Sequence, residues 1–244
     1  MATVFQISDT HLRAEPHTPH KRGLRTMDPD DSLEASLGAL EGVRPDLVLL
    51  TGDLTDDGSV PALRRLRDRV EQLGAPMLAV AGNHDDPANV GDVFGQSGVV
   101  EVGAWRVVGV ETFVKRRNHG LVDVEAVVHT LDALDRRPTI VAMHHGPRSP
   151  STHRWFRLIG DDLLVDALSQ RPHVRAIVSG HLHEVFRYRE NGLELCGAPS
   201  SWYAIEHTGD SYELVADGLV GAQVLTLGDD GSFACQPVAR SLGC

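Results

Sequence analysis

The chain is poor in cysteine and in basic charge, and it has no long apolar run. Its three cysteines, Cys196, Cys235 and Cys244, stand at irregular spacing. An odd, unpatterned set argues against a disulfide framework or a zinc knuckle, and a reducing, cytoplasmic setting is expected. No stretch approaches the ~18 consecutive apolar residues of a membrane-spanning helix. Met1-Ala2-Thr3-Val4-Phe5 shows neither the basic start nor the apolar core of a signal peptide. Lys and Arg number 23 against 34 Asp and Glu, a formal net charge of −11. That surface repels a nucleic-acid backbone, whose binding rests on basic patches. Neither a membrane nor a nucleic acid is therefore an expected partner. A small anionic substrate stays compatible, because bound cations can set the local field.

What the chain does have is a repeated pairing of apolar runs with metal-binding residues. Five strand-like segments, Val4 to Ile7, Leu47 to Leu50, Met77 to Ala81, Ile140 to Met143 and Ala176 to Val178, each run into such a cluster. The clusters are Asp9-Thr10-His11, Gly52-Asp53, Gly82-Asn83-His84-Asp85, His144-His145 and Gly180-His181-Leu182-His183. In an open α/β sheet the ligand site lies beyond the carboxyl ends of the strands, so one sheet edge can collect all five. The intervening segments read as helices. Leu33, Leu37 and Leu40 fall on one face of a helix starting near Asp31; Leu63, Leu66, Val70 and Leu73 on a second, capped by Ser59 and stopped by Gly74. Residues 123–135 and 161–170 read as two more, and Val99 to Val114 as a strand pair joined near Gly103. Beyond His183 the pattern turns to strands and turns, with Asn191-Gly192 and Asp229-Asp230-Gly231 as turn signals. The expectation is one domain over residues 1–244, in which 184–244 form a mostly β part, built as two packed sheets with helices outside.

Asp9, His11, Asp53, Asn83, His144, His181 and His183 make a coherent ligand set. Carboxylate, amide oxygen and imidazole suit Mn, Fe or Zn, and no thiolate enters any cluster. Two four-coordinate sites need one ligand more than these residues supply singly, and Asp53, alone at its strand end, is the natural bridge. Two such ions ~3.5–4 Å apart share a water, lower its pKa and spread the charge of a phosphoryl group.

The ordered set Asp-x-His, Gly-Asp, Gly-Asn-His-Asp, His and Gly-His-x-His resembles the calcineurin-like metallophosphoesterase superfamily over the first four-fifths of the chain. That resemblance implies a four-layer α/β/β/α sandwich of two mixed sheets flanked by helices. It assigns Asp9, His11, Asp53 and His183 to a first metal and Asp53, Asn83, His144 and His181 to a second. His84 matches the histidine that stabilises the phosphoryl group or protonates the leaving alkoxide after attack by the metal-bridging hydroxide, and Asp56 matches the carboxylate that orients it, with Asp85 as an alternative. His144, rather than His145, matches the ligand of the family's His-His-x-Pro form. This chain reads His144-His145-Gly146-Pro147, where many relatives have two prolines, and the role of His145 stays open.

Ile7-Ser8-Asp9-Thr10-His11-Leu12, Gly52-Asp53-Leu54-Thr55-Asp56 and the tail Gly197-Ala198-Pro199-Ser200-Ser201 are similar to class III cyclic nucleotide phosphodiesterases. The resemblance implies hydrolysis of 3′,5′-cyclic nucleotides or related small phosphodiesters. A phosphomonoesterase or a nuclease on the same two metals, or a non-catalytic binding module, are the alternatives. His145, Trp202 and His207 are candidate substrate contacts, and His17 and His20 candidate pocket residues. Relatives of this kind often form homodimers through a cap insertion, for which residues 87–138 leave modest room.

Overall fold

The computed structural model describes residues 1–17, 28–215 and 219–241. The chain enters β1 (Ala2–Ile7) at once, then passes through α1 (Pro29–Gly38), β2 (Leu47–Thr51), α2 (Val60–Val70), β3 (Met77–Val80) and α3 (Pro87–Phe94). Next come β4 (Val99–Val102), β5 (Trp105–Val110), the two-residue β6 (Gly120–Leu121), α4 (Val124–Asp132), β7 (Thr139–Met143) and β8 (Leu158–Ile159). α5 (Asp161–Ser169) and β9 (Val174–Ser179) close the alternating part. β10 (Phe186–Glu190), β11 (Leu193–Gly197), β12 (Ala204–Thr208), β13 (Ser211–Val215), β14 (Leu219–Leu227) and β15 (Phe233–Ser241) follow, with no helix between them among the described residues.

Two mixed sheets result. The first has the order β15-β14-β1-β2-β3, the second β10-β11-β9-β7-β5-β4. β1, β2 and β3 are parallel to one another, as are β5, β7, β9 and β11, with antiparallel strands at the edges. Alternation along the strands decides which face goes where. Val4, Leu47, Leu49, Ile140, Ala142, Ala176 and Val178 meet between the sheets. Phe5, Ile7, Val48 and Leu50 point the other way and pack under α1, α2 and α3. Val141, Met143 and Ile177 do the same beneath α4 and α5. Each fully buried aliphatic side chain contributes ~1.5–3 kcal/mol to holding these layers, and the architecture is the expected α/β/β/α sandwich.

A small group of polar side chains centred on Gln6 interrupts the inter-sheet core. The Gln6 amide donates to Thr51 Oγ1 at 3.1 Å and to the Ser179 carbonyl at 3.1 Å, and accepts from Gln223 at 3.0 Å. It ties both sheets together one turn of chain below the clustered strand ends, and every partner is buried with it.

The helices differ from expectation in local ways. α1 begins at Pro29, because the Asp28 carboxylate accepts from Asp30 N at 2.9 Å and proline suits the first helical turn. Leu40 lies past its end. Ser59 stands at the head of α2, yet its buried Oγ makes no capping bond. α3 was not anticipated; Asp86 caps it through Ala88 N at 3.0 Å. Cys196 on β11 and Cys235 on β15 bring their sulfurs to 3.0 Å across the two sheets.

Candidate metal centre

The five clusters converge at one edge because the parallel registers align the strand ends. Ile7 pairs with Leu50 and Thr51 with Val80 in the first sheet, and Ala142 with Val178 in the second. Just past those ends the backbone turns sharply. Asp9, His11, Asp53, His181 and His183 all have positive φ, at 53°, 46°, 47°, 71° and 50°. Non-glycine residues adopt this region rarely, at a cost of about 1–3 kcal/mol each. The turns interlock through backbone bonds from Asp9 N to Gly52 O (3.0 Å), His11 N to Asp53 O (2.9 Å) and Gly180 N to His144 O (3.1 Å). At Gly82 and Gly180 any Cβ would overlap the Asp53 and the Ser8 and Asp9 side chains respectively. These glycines are required by close approach.

The first group unites both sheets. Asp9 Oδ1 lies 3.2 Å from His183 Nε2, His11 Nε2 lies 3.2 Å from the same nitrogen, and Asp53 Oδ2 is 3.8 Å from His11 Nε2. In the second group His144 Nε2 is 3.5 Å from Asp53 Oδ1 and 3.3 Å from Asn83 Oδ1. Asp53 thus faces both groups, one carboxylate oxygen toward each. All of these side chains except Asn83 are buried.

Hydrogen bonds on the far side of each ring set which nitrogen is free. His144 Nδ1 donates to the Thr51 carbonyl at 2.8 Å, and His183 Nδ1 to the Tyr203 carbonyl at 2.9 Å. Both then present an Nε2 lone pair inward. His181 is reversed: Nε2 donates to the Trp155 carbonyl at 3.0 Å, which leaves Nδ1 for the centre. Ser8 Oγ donates to Asp9 Oδ2 at 2.5 Å, and His181 N donates to Asp9 at 3.1 Å.

The electrostatics fit a cation. Burial opposes ionisation of Asp9, but His183 and His144 outweigh it and hold the carboxyl at about 2. Asp53 is likewise pulled well below the usual range, burial being outweighed by His144 and His84. Burial lowers His11 to about 4 and His181 to about 3, so both rings are neutral donors of lone pairs. His144 is the exception, raised to about 9 because Asp53 outweighs its desolvation. A bound metal would take the place of that proton. His11 and His183 aim ring nitrogens at each other beside Asp9, and His11 Nδ1 is buried without a hydrogen-bond partner. A buried knot of carboxylates and facing lone pairs is relieved by coordination. His/Asp groups with ligand atoms within 4.8 Å of one another include Asp9-His11-His183 and Asp9-Asp53-His144.

His84 stands at the rim. Its backbone N donates to Asp53 Oδ1 at 2.8 Å, while its ring Nδ1 is 3.3 Å from Asp56 Oδ1. Arg13 grips the other Asp56 oxygen at 2.8 and 3.2 Å. Burial raises Asp56, but the His11 ring, whose Nδ1 lies 3.7 Å away, the His84 ring and Arg13 prevail and keep it ionised. Asp85 faces elsewhere. Its oxygens accept from Gly82 N, Leu54 N, Thr55 N and Thr55 Oγ1 at 2.8–3.1 Å, which clamps the β2 turn to the β3 turn.

A cavity of about 300 Å³ opens over this centre, lined by His11, Asp53, Asn83, His84, His181 and His183 on one side and by Trp155, Phe156, Tyr203 and Tyr212 on another. The structure places His145 beside the ligand rings, 4.3 Å from His181 between centroids, with Nδ1 2.8 Å from Thr112 Oγ1 and Nε2 3.0 Å from the Asn118 carbonyl. Trp202 is buried against His11 and Tyr203. His207 donates to the Leu182 carbonyl at 2.9 Å. His17 is exposed and 3.2 Å from Asp28, and His20 lies outside the described residues. Sequence reasoning did not find the carbonyls of Thr51, Trp155 and Tyr203, nor the wall of Trp155, Phe156 and Tyr212.

The model of the Calcineurin-like phosphoesterase family matches residues 2–185. The chain belongs to that family. This calcineurin-like phosphoesterase is 31% identical to a probable cyclic nucleotide phosphodiesterase of Synechococcus sp., over 96% of its own length and 91% of the relative's. It is 32% identical to the 3′,5′-cyclic adenosine monophosphate phosphodiesterase CpdA of Pseudomonas aeruginosa, over 93% and 86%. A crystal structure of a dimetal phosphatase from Danio rerio superposes with a TM-score of 0.67 at 12% identity, covering 99% and 98% of the two chains, which shows the shared fold. The chain is a metal-dependent phosphoesterase, and the family's dimetal centre is matched by its His and Asp groups. Among the described residues no helix is long and apolar enough to cross a membrane.

Proposed function

We propose that this chain, acting as one metallophosphoesterase domain, hydrolyses 3′,5′-cyclic nucleotides or related small phosphodiesters. The observation that carries the proposal is the shape of the cavity: about 300 Å³, floored by the inward nitrogens and by Asp53, with His84 at the rim. That volume is at the lower end of small-molecule sites and suits a compact ester better than a polymer. The naming of the Synechococcus and Pseudomonas relatives as cyclic nucleotide phosphodiesterases supports the same choice.

Asp9, His11, Asp53 and His183 would hold one ion, and Asp53, Asn83, His144 and His181 the other. The donor set suits Mn, Fe or Zn. A bound pair supplies Lewis acidity at the phosphoryl group and acidified water. The protein's own contribution is orientation and proton transfer. Asn83 and His84 project from one turn, so a phosphoryl group seated over Asp53 meets the His84 ring. Asp56, kept ionised by Arg13 and His11, accepts from His84 Nδ1–H and supports the doubly protonated ring, whose Nε2 proton would then pass to a departing alkoxide and leave a neutral imidazole. Loss of a phosphodiester's alkoxide is the step that most needs such a donor.

The test is metal quantification followed by a substrate panel of cyclic nucleotides, a glycerophosphodiester, an aryl diester and an aryl monoester. Diester hydrolysis above monoester hydrolysis is expected; the reverse order would overturn the proposal.

A further inference from the structure

We infer that the aromatic wall beside the metal centre is a shelf for a nucleobase, held at a set distance from the phosphoryl group. The inference deepens the phosphodiesterase reading and rests on it for the placement of phosphate at the ligand residues.

Aromatic residues are scarce: three Trp, three Tyr and six Phe in the whole chain. One Trp, one Phe and two Tyr of this small set line a single cavity. Three of them form a ladder of rings leading outward from a ligand. His181 and Phe156 have centroids 5.4 Å apart, Phe156 and Tyr212 5.3 Å, and Tyr212 and Trp155 5.8 Å. Phe156 is buried, Tyr212 half-buried, and Trp155 38% exposed. Packing explains the inner rung and leaves the outer ones facing the cavity.

The wall is fastened to the metal centre at three points. Trp155 sits in a short 3-10 turn, Arg154–Phe156, whose Trp155 carbonyl accepts from His181 Nε2 at 3.0 Å. Tyr212 is on the β12–β13 ribbon, opposite His207, and His207 Nε2 donates to the Leu182 carbonyl at 2.9 Å. Ile205, on the same ribbon, donates its N–H to the His183 carbonyl at 3.4 Å. The 180–183 segment that carries two ligands therefore also sets the position of the wall.

Charge distribution narrows the ligand further. Among the described lining residues there is no Lys or Arg, so a phosphate is met at the ligand end, and the rest of the molecule meets rings, Ile205 and Leu214, with Asn118 as the uncharged polar neighbour. A molecule with one anionic end and one flat, weakly polar end fits this division. Stacking on aromatic side chains tolerates any base, because every base presents a π-face. Selectivity for purine over pyrimidine is accordingly not expected from the wall itself.

The experiment compares equilibrium binding of AMP and of ribose 5-phosphate to the metal-loaded protein by titration calorimetry. The two ligands share the phosphate and sugar and differ in the base. Wild-type protein is expected to prefer AMP by about tenfold or more. Trp155→Ala and Tyr212→Ala should each cut that preference severalfold, and Trp155→Phe and Tyr212→Phe should keep most of it. The conservative pair guards against misfolding. An equal affinity for the two ligands in wild-type protein, or a preference that survives both alanine variants, would overturn the shelf. Hydrolysis of 3′,5′-cyclic AMP is measured in parallel. Its absence would overturn the phosphodiesterase reading, while the binding ratio still judges the shelf.

Discussion

His84→Ala separates proton donation from metal binding more cleanly than any other change at the site. The backbone bond from residue 84 to Asp53 Oδ1, at 2.8 Å, survives the substitution. None of the proposed ligands is removed, so metal content should stay at the wild-type value. What disappears is the ring that faces the cavity, 22% exposed and 3.3 Å from Asp56. General acid catalysis contributes ~10²–10⁴-fold, which is about 2.7–5.4 kcal/mol of barrier at 1.36 kcal/mol per decade. The size should depend on the leaving group. An alkoxide, as in a cyclic nucleotide, needs the proton and should show the full loss in kcat. A nitrophenolate leaves unprotonated, and its loss should be about tenfold or less. The assay is kcat for both diesters on metal-quantified protein. Equal losses for the two leaving groups would refute the proton-donor role and turn His84 into an electrostatic clamp. Loss of metal in the variant would refute the premise that the ring stands outside the coordination set.

Other consequences can be checked more briefly. Asp56→Asn should lower kcat for the alkoxide diester by about tenfold or more with little change in metal content, since Asp56 acts through His84; the leaving-group ratio is the readout. Asp53→Asn removes the carboxylate that faces both groups, and elemental analysis should show fewer than two ions per chain. Chelation should abolish turnover and lower Tm, because an ion at ~100 times its Kd stabilises the fold by about 2.7 kcal/mol; an unchanged Tm would mean that no bound ion is coupled to folding. Oxidation by glutathione disulfide should join Cys196 and Cys235, the reagent taking two electrons and leaving as two thiols. The 39-residue separation closed by that bond corresponds to about 4 kcal/mol of stabilisation as an upper value. A mass unchanged after oxidation would show that the thiols do not reach each other.

How much of this was legible follows from what a sequence can encode. The strands β1, β2, β3, β7 and β9 stand out because each is an apolar run that stops at a ligand. The pairing of Leu63, Leu66 and Val70 likewise exposes α2. α3 hides because it is eight residues long and carries Gly91 in its middle, so periodicity has too little length to build on. β6 and β8 pair over only two residues. At the site, Asp9, His11, Asp53, Asn83, His144, His181 and His183 are distinguished by side-chain chemistry. The groups that orient them are not. Thr51, Trp155 and Tyr203 act through carbonyls, which every residue has, and they reach their histidines from 93, 26 and 20 positions away. The Trp155-Phe156-Tyr212 wall is likewise assembled from two distant segments, and local spacing gives no sign of it. His145 shows the opposite limit: its residue type invites a role, and only the structure shows Thr112 and Asn118 at its two ring nitrogens.

The proposed ligands come from both halves of the sandwich. Asp9, His11, Asp53 and Asn83 follow strands of the first sheet, and His144, His181 and His183 follow strands of the second. A bound metal pair would then be a rivet between two layers that also hold together by their apolar interface and by cross-sheet hydrogen bonds such as those of Gln6 and from His144 to Thr51. Affinity for metal becomes a gauge of how well those layers are seated, and the linkage runs both ways. A cavity-forming change at Leu49 or Ile140, buried between the sheets and neither of them a proposed ligand, should loosen the grip on metal as well as the fold. Metal starvation should in turn let the layers shift against each other. Loss of activity in a variant of this core need not point to the active site.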